Sequence, residues 1–275
     1  MDSIGFIGGG NMAEAIIKGI VTGGLYSESQ ILVGDVKDER LACLADTYGV
    51  AVTTDNAHVA AGSDVLVLAV KPQMLTDAAV GIREHIRPDA VIVSIIAGRR
   101  VLDIEALLGQ RAIVRVMPNT PALIGEGAAV LYANERGRTC LDKVRRIFEC
   151  VGLALTVEDE RLIDAVTAVS GSGPAYFFLL MQEMIQAGTS LGLTPHVARR
   201  LVLQTAKGAA LLAVVADGQG QSPADLSARV ATPGGTTEAA LNVFHAGGFE
   251  RLVNEALTAA CKRSGELSGR GVVKG

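Results

Sequence analysis

Gly8-Gly9-Gly10-Asn11-Met12-Ala13 fits the pattern G-x-G-x-x-A, directly after a short apolar run and at the start of a helical one. In that context each small residue has a purpose. Gly8 allows a tight turn, Gly10 lets the backbone approach a pyrophosphate, and Ala13 permits close packing of helix on strand. The helix that follows turns unpaired N–H groups toward the phosphates. Asp35, at the end of the second apolar run, is placed to accept from the adenosine ribose hydroxyls or to cap the next helix. Lys37 and Arg40 stand near enough to meet a 2′-phosphate instead, so NAD and NADP both stay open. Lys71-Pro72 and Ala97-Gly98 end two further runs of strand character. Lys71 is a candidate to reach the nicotinamide ribose, and the small pair leaves room for the ring.

A second set of polar loops offers groups to a substrate. Asn119, inside Met117-Pro118-Asn119-Thr120-Pro121, carries both a donor and an acceptor. Ser170-Gly171-Ser172-Gly173-Pro174 reads equally as a hinge or a ligand loop. Thr232-Pro233-Gly234-Gly235-Thr236-Thr237-Glu238 combines exposed amides at a helix start with hydroxyls, a nest for a small carboxylate. The alternative there is a threonine N-cap with Glu238 in the first turn. His58, His85, His196 and His245 all fall outside these loops. A carbonyl reductase commonly needs an acid to protonate the nascent alkoxide. An iminium already carries its proton, so a site of hydroxyls and amides without histidine suits an imino acid.

These loops need elements to hold them. Residues 3–7, 30–34, 64–70, 90–96 and 112–116 are apolar on both faces, as strands of a covered parallel sheet are. Helical spacing over 11–21 and 38–48 alternates with them, which means βαβ units and a doubly wound sheet. After Val157 the expected elements are all helices: 175–191, 195–217, 222–230, 236–246 and 249–267, with a frayed tail after Gly265. The chain has 275 residues, 49% hydrophobic and 20% charged, which excludes a disordered chain. The net charge of −4 without a basic run excludes a nucleic-acid footprint. No membrane span or signal peptide is expected: the longest unbroken apolar run lies around 209–216, and the N-terminus has no basic segment. Cys43, Cys140, Cys150 and Cys261 form no metal-ligand spacing and read as reduced cytoplasmic thiols. The apolar helices of the second half outnumber what a small domain buries, which implies a homo-oligomer.

With these motifs assembled, the chain resembles the pyrroline-5-carboxylate reductases. The resemblance rests on GGGNMA at 8–13, AVKP at 69–72, RVMPNTP at 115–121, SGSGPAY at 170–176 and PGGTT at 233–237. It implies reduction of Δ1-pyrroline-5-carboxylate to L-proline by hydride transfer from NADPH or NADH, without a metal. The implied fold is α/β, with an N-terminal Rossmann-type doubly wound sheet over 1–159. An all-helical C-terminal dimerisation and substrate-binding domain follows over 160–275, with active sites shared between subunits. Gly8, Gly10, Asn11, Met12, Asp35, Asn56, Ala69, Val70, Lys71, Pro72, Ala97 and Gly98 are then the cofactor residues. Thr232, Gly234, Gly235, Thr236 and Asn119 would hold the substrate. Thr237 would hydrogen-bond the ring nitrogen, with Lys71 the other catalytic candidate. Gly34 and Val36 stand where many members carry Ser and Arg, which weakens the case for NADP. Arg99 and Arg100 have no assigned role. Two rival readings are a 3-hydroxyacid dehydrogenase using Lys207, although Leu211 stands where an Asn is wanted, and a non-catalytic dinucleotide sensor.

Overall fold

The computed structural model describes residues 2–269. They fall into two compact units, one of residues up to Ser172 together with those from Ala259 on, the other Gly173–Thr258. The first unit alternates β1 (Ile4–Ile7), α1 (Asn11–Thr22), β2 (Ile31–Gly34), α2 (Asp38–Tyr48), β3 (Ala51–Thr53), α3 (Asn56–Ala61), β4 (Val65–Leu68), α4 (Leu75–Ile82), β5 (Val91–Ser94), α5 (Val101–Leu108) and β6 (Ala112–Met117). It continues with β7 (Gly127–Ala133), α6 (Leu141–Glu149), β8 (Gly152–Thr156) and α7 (Leu162–Val166).

The strand order is β3-β2-β1-β4-β5-β6-β7-β8. The first six strands are parallel, in the order of a doubly wound dinucleotide fold. The expected sheet is therefore present, with an extension that periodicity missed: β7 runs antiparallel to β6, and β8 pairs parallel to β7. β3, β7 and β8 were invisible for physical reasons. β3 has three residues, β7 is rich in alanine, and β8 is an edge whose Leu153 and Leu155 stay exposed. The two-faced apolar strands fill two separate cores. Ile4, Phe6, Val65, Val67, Val91 and Val93 pack on one side, and Ile7, Leu66, Leu68 and Ile92 on the other.

The second unit holds α8 (Gly173–Ser190), α9 (Pro195–Asp217), α10 (Pro223–Val230), α11 (Thr236–Ala246) and the first half of α12 (Phe249–Leu267). Thr194 caps α9 through its hydroxyl ahead of Pro195, and Ser222 does the same for α10 ahead of Pro223. Among the described residues no strand follows β8.

The units divide at Ser172/Gly173, and the segment 160–172 packs within the first unit. Ile163 and Ala168 are buried, and Asp164 accepts a hydrogen bond from Ser264 Oγ at 2.8 Å, which ties α7 to the end of α12. The expected fraying after Gly265 is corrected for the residues described. Ser268 is 2% exposed, and Leu267 lies against Gly98. The rest of that tail lies outside the described residues. One helical run, Leu162–Ser190, is long and apolar enough by length and composition to cross a membrane, although no continuous apolar stretch in the sequence announced it.

Candidate functional site

The sheet order reverses between β1 and β4, and the glycine loop sits at that switch point. Gly8 has φ +101°, and a Cβ there would lie 2.8 Å from the Ala69 carbonyl oxygen at the end of β4. Only glycine adopts this backbone so close to its neighbour. Gly10 is the N-cap of α1 with no side-chain cap, and a Cβ on it would meet nothing within 4 Å. The open space and the free first-turn N–H groups are what a phosphate needs. Ala13 is 1% exposed under the sheet, as close packing requires.

A cavity of about 620 Å³ opens here, lined among others by Gly8, Gly10, Asn11, Asp35, Asn56 and Lys71. Gly34, Ala69 and Val70 also face it, with Met74, Asp77 and Ala78 as walls that the sequence did not announce. Inside the fold at this point Asn56 Oδ1 is buried without a hydrogen-bond partner, 2.5 Å from where a Cβ on Gly34 would stand. A buried carbonyl left unpaired is costly unless a ligand or water completes it. The orphaned acceptor, the side-chain-free glycines and the helix start together fit a dinucleotide. Met12, assigned to the cofactor by resemblance, is half-buried against the core and does not line the cavity.

Asp35 does not cap α2; Lys37 is its N-cap. Its carboxylate accepts from Gly9 N at 2.7 Å and Lys37 N at 3.0 Å, so it braces the glycine loop from the end of β2. Arg40 donates Nε to the Gly9 carbonyl and Nη2 to Glu14 Oε2 at 2.5 Å. Tyr48 donates its hydroxyl to the other Glu14 oxygen at 3.0 Å. Arg40 and, less strongly, Tyr48 hold the Glu14 carboxyl below its ordinary range against the opposing effect of burial. Burial, then the Glu14 bond, pushes the Tyr48 hydroxyl up. Glu14 and Tyr48 carry no motif, so this brace was unreadable before the helices were placed.

Lys71 is exposed at the cavity and leads into a 3-10 turn at Pro72–Met74. Ala97 and Gly98 are not among the residues lining the cavity; Gly98, at φ +69°, faces Leu267 instead. Arg99, unassigned from the sequence, proves to be a tether. Its Nη2 donates to the Pro72 carbonyl at 3.1 Å and ties the 95–100 loop to the Lys71 turn. Arg100 N donates to Asp103 Oδ2 at 2.8 Å and starts α5.

Asn119 is drawn into the fold. It is 9% exposed, its Nδ2 donates to Ser170 O at 3.0 Å, and its Oδ1 accepts from Ala128 N at 2.8 Å. It braces β7 against the 167–171 turn, using one amide N–H and one oxygen lone pair. That turn is a single π-helical turn running into α8 rather than a loose loop.

In the second unit, Gly234 has φ +73° and its N–H is held by Glu238 Oε2 at 2.7 Å. Gly235 N donates to Thr232 O at 2.9 Å. The glycine amides are thus in use. The open donors are the first-turn N–H groups of α11, beginning at Thr236 and Thr237, since Gly235 caps that helix with no side chain. The glycines shape the turn, and of the two threonines that follow, Thr236 is exposed and Thr237 half-buried. The rival lysine, Lys207, is exposed on α9 beside exposed Leu211. Among the described residues no group of three or more His, Cys, Asp or Glu gathers as a metal site.

Comparison with known proteins bears on both units. Residues 160–267 match the family model described as pyrroline-5-carboxylate reductase dimerisation, and residues 3–98 match that of NADP oxidoreductase coenzyme F420-dependent. The chain is 48% identical over 267 residues to the pyrroline-5-carboxylate reductase of Pseudomonas aeruginosa, covering 96% of each. It is 37% identical to the Arabidopsis thaliana enzyme, covering 96% of this chain and 95% of that one. Among solved structures it is similar to a Coxiella burnetii pyrroline-5-carboxylate reductase, with a TM-score of 0.91, 38% identity, and coverage of 97% and 98%. A Plasmodium falciparum pyrroline carboxylate reductase with NADP bound gives 0.85 and 29%, with the same coverage.

Proposed function

The chain belongs to the pyrroline-5-carboxylate reductase family, and from that membership we infer that it reduces Δ1-pyrroline-5-carboxylate to L-proline with NAD(P)H, the last step of proline biosynthesis. The observation that carries this reading is an end-to-end match, 96% of both chains at 48% identity. The glycine-loop cavity supports the cofactor half of it. A reduced nicotinamide, when bound, supplies the hydride for C5 of the cyclic iminium, whose C=N pair returns to nitrogen.

The rest falls to this chain's residues. Gly8 and Gly10 with the first turn of α1 take the pyrophosphate, Asn56 completes its buried carbonyl on the cofactor, and Lys71 contributes at the ribose. The amides of Thr236 and Thr237 take the substrate carboxylate, an anion at a helix start. The Thr237 hydroxyl holds the ring nitrogen, so positioning carries most of the catalysis. Purified protein should oxidise NADH or NADPH only when pyrroline-5-carboxylate is added, and 3-hydroxy acids should be inert. In Thr237→Ala, kcat/KM should fall by about 1–3 kcal/mol of transition-state stabilisation, the scale of a lost hydrogen bond to a charged group. Unchanged kinetics would remove the assigned role.

The helical unit is read as the subunit contact. Phe177, Phe178, Leu179, Leu212, Val215 and Val243 are each at least half exposed, more than isolated surface positions explain. The Leu162–Ser190 helix contributes its share of that surface to a partner copy rather than to lipid. Light scattering without detergent should give at least twice the 28.5 kDa of one chain, and a monomeric mass at micromolar concentration would refute the assignment. We place the enzyme in the cytoplasm, in keeping with its four free thiols.

A further inference from the structure

We propose that Asp35 makes this chain select NAD(H) over NADP(H). The inference rests on the reductase reading above and concerns the adenosine end of the same cavity.

Asp35, Val36 and Lys37 follow β2 and wall the cavity there, and Arg40 on α2 lines it as well. The Asp35 carboxylate is pinned by two main-chain donors, Gly9 N and Lys37 N. Each oxygen keeps a lone pair, so the group is a fixed acceptor suited to the two hydroxyls of a ribose. A 2′-phosphate brings only acceptors and negative charge to that spot. The backbone amides it would need are already bound to the carboxylate, and the carboxylate repels it.

The neighbouring cations do not reverse this. The Arg40 guanidinium is paired with Glu14 and bonded to the Gly9 carbonyl. Swinging it toward a phosphate would break the brace that joins α1 to α2 and leave Glu14 half-buried without its cation. Lys37 is the remaining cation. Across 35–40 and Glu14, two positive side chains stand against four negative ones: Asp35, Asp38, Glu39 and Glu14. No hydroxyl side chain lies on 34–37, and Val36 presents an apolar surface, 74% exposed. A phosphate-binding wall has the opposite composition, with arginine forks and hydroxyl or amide donors.

Calorimetric titration of the full chain with NAD⁺ and, separately, NADP⁺ tests the inference without turnover. The expected result is an affinity for NAD⁺ about tenfold or more above that for NADP⁺, the scale of one like-charge contact. In Asp35→Ser the preference should shrink to about twofold or invert, chiefly through tighter NADP⁺ binding. Glu14→Gln, which frees Arg40 while leaving Asp35 in place, should narrow the ratio in the same direction. Equal or tighter NADP⁺ binding by the parent protein would overturn the inference, and that comparison does not depend on either variant folding. An unchanged ratio in a folded Asp35→Ser protein would take the role away from Asp35. Failure of both dinucleotides to bind would overturn the reductase reading along with it, whereas a preference for NADP⁺ would leave that reading standing.

Discussion

Gly8→Ala should weaken dinucleotide binding by about a hundredfold and lower stability by about 2–3 kcal/mol, the sum of a strained backbone and a steric conflict. The methyl group would meet backbone rather than a side chain: Ala69 O at 2.8 Å, Ala69 C at 2.9 Å and Val70 N at 3.1 Å. Gly8 N is itself bonded to the Gly34 carbonyl at 2.7 Å, so the loop is held from both neighbouring strands. Relief requires moving the start of α1, and with it Gly9 from Asp35 and Gly10 from the cavity. Gly10→Ala is the companion. Its φ of −66° is ordinary and no atom lies within 4 Å of the added carbon, so stability should change by less than about 1 kcal/mol. The methyl would stand where a pyrophosphate lies, and affinity should fall all the same. Calorimetry with NAD⁺ and a thermal melt on each variant separate the two effects. Near-parental binding by Gly8→Ala would disprove the loop's role at the phosphates.

The second large effect concerns stability. Arg115 on β6 is 3% exposed, and its Nη1 donates to Glu160 Oε1 at 2.8 Å. The same oxygen accepts from Val101 N at 2.9 Å, the first amide of α5. One carboxylate thus joins a sheet strand, a helix start and the segment leading into α7. Glu160→Ala leaves a guanidinium buried without its partner and a helix amide open. It should lower unfolding free energy by about 3 kcal/mol, the usual result of removing one member of a buried pair. Replacing Arg115 by Met in the same protein should recover a substantial part, because the penalty is the stranded charge more than the lost attraction. Guanidinium titrations of the three proteins measure it. A single-variant loss below about 1 kcal/mol would show that water reaches Arg115 freely.

The parts of the fold legible in advance were those with strong local signals. β1, β2, β4, β5 and β6 announced themselves as apolar runs, and α2, α9, α11 and α12 begin and end where spacing and breakers put them. Three strands were not legible: β3 is only three residues long, β7 is rich in alanine, and β8 is an edge whose leucines stay exposed. At the site, glycine pattern and position pointed to Gly8, Gly10, Asp35 and Lys71, which line one cavity. The bracing bonds of Asn119 were not legible, since an amide that braces a turn and an amide that meets a ligand have the same sequence signature. Glu238 was seen only as a first-turn acid, and its reach back to Gly234 needed coordinates.

What the amino-acid order determined alone is the set of groups available: a helix start ringed with glycine, a carboxylate after the second strand, threonines at a second helix start. Those depend on backbone preferences within a few residues, which the local sequence controls. What the tertiary structure decided is which groups are still open. Asp35 is tied to Gly9, Arg40 to Glu14, Asn119 to Ser170 and Ala128, while Asn56 keeps an acceptor without a partner. A hydrogen bond has two ends. The second end here often lies tens of residues away, where only the packing of helices on the sheet can place it.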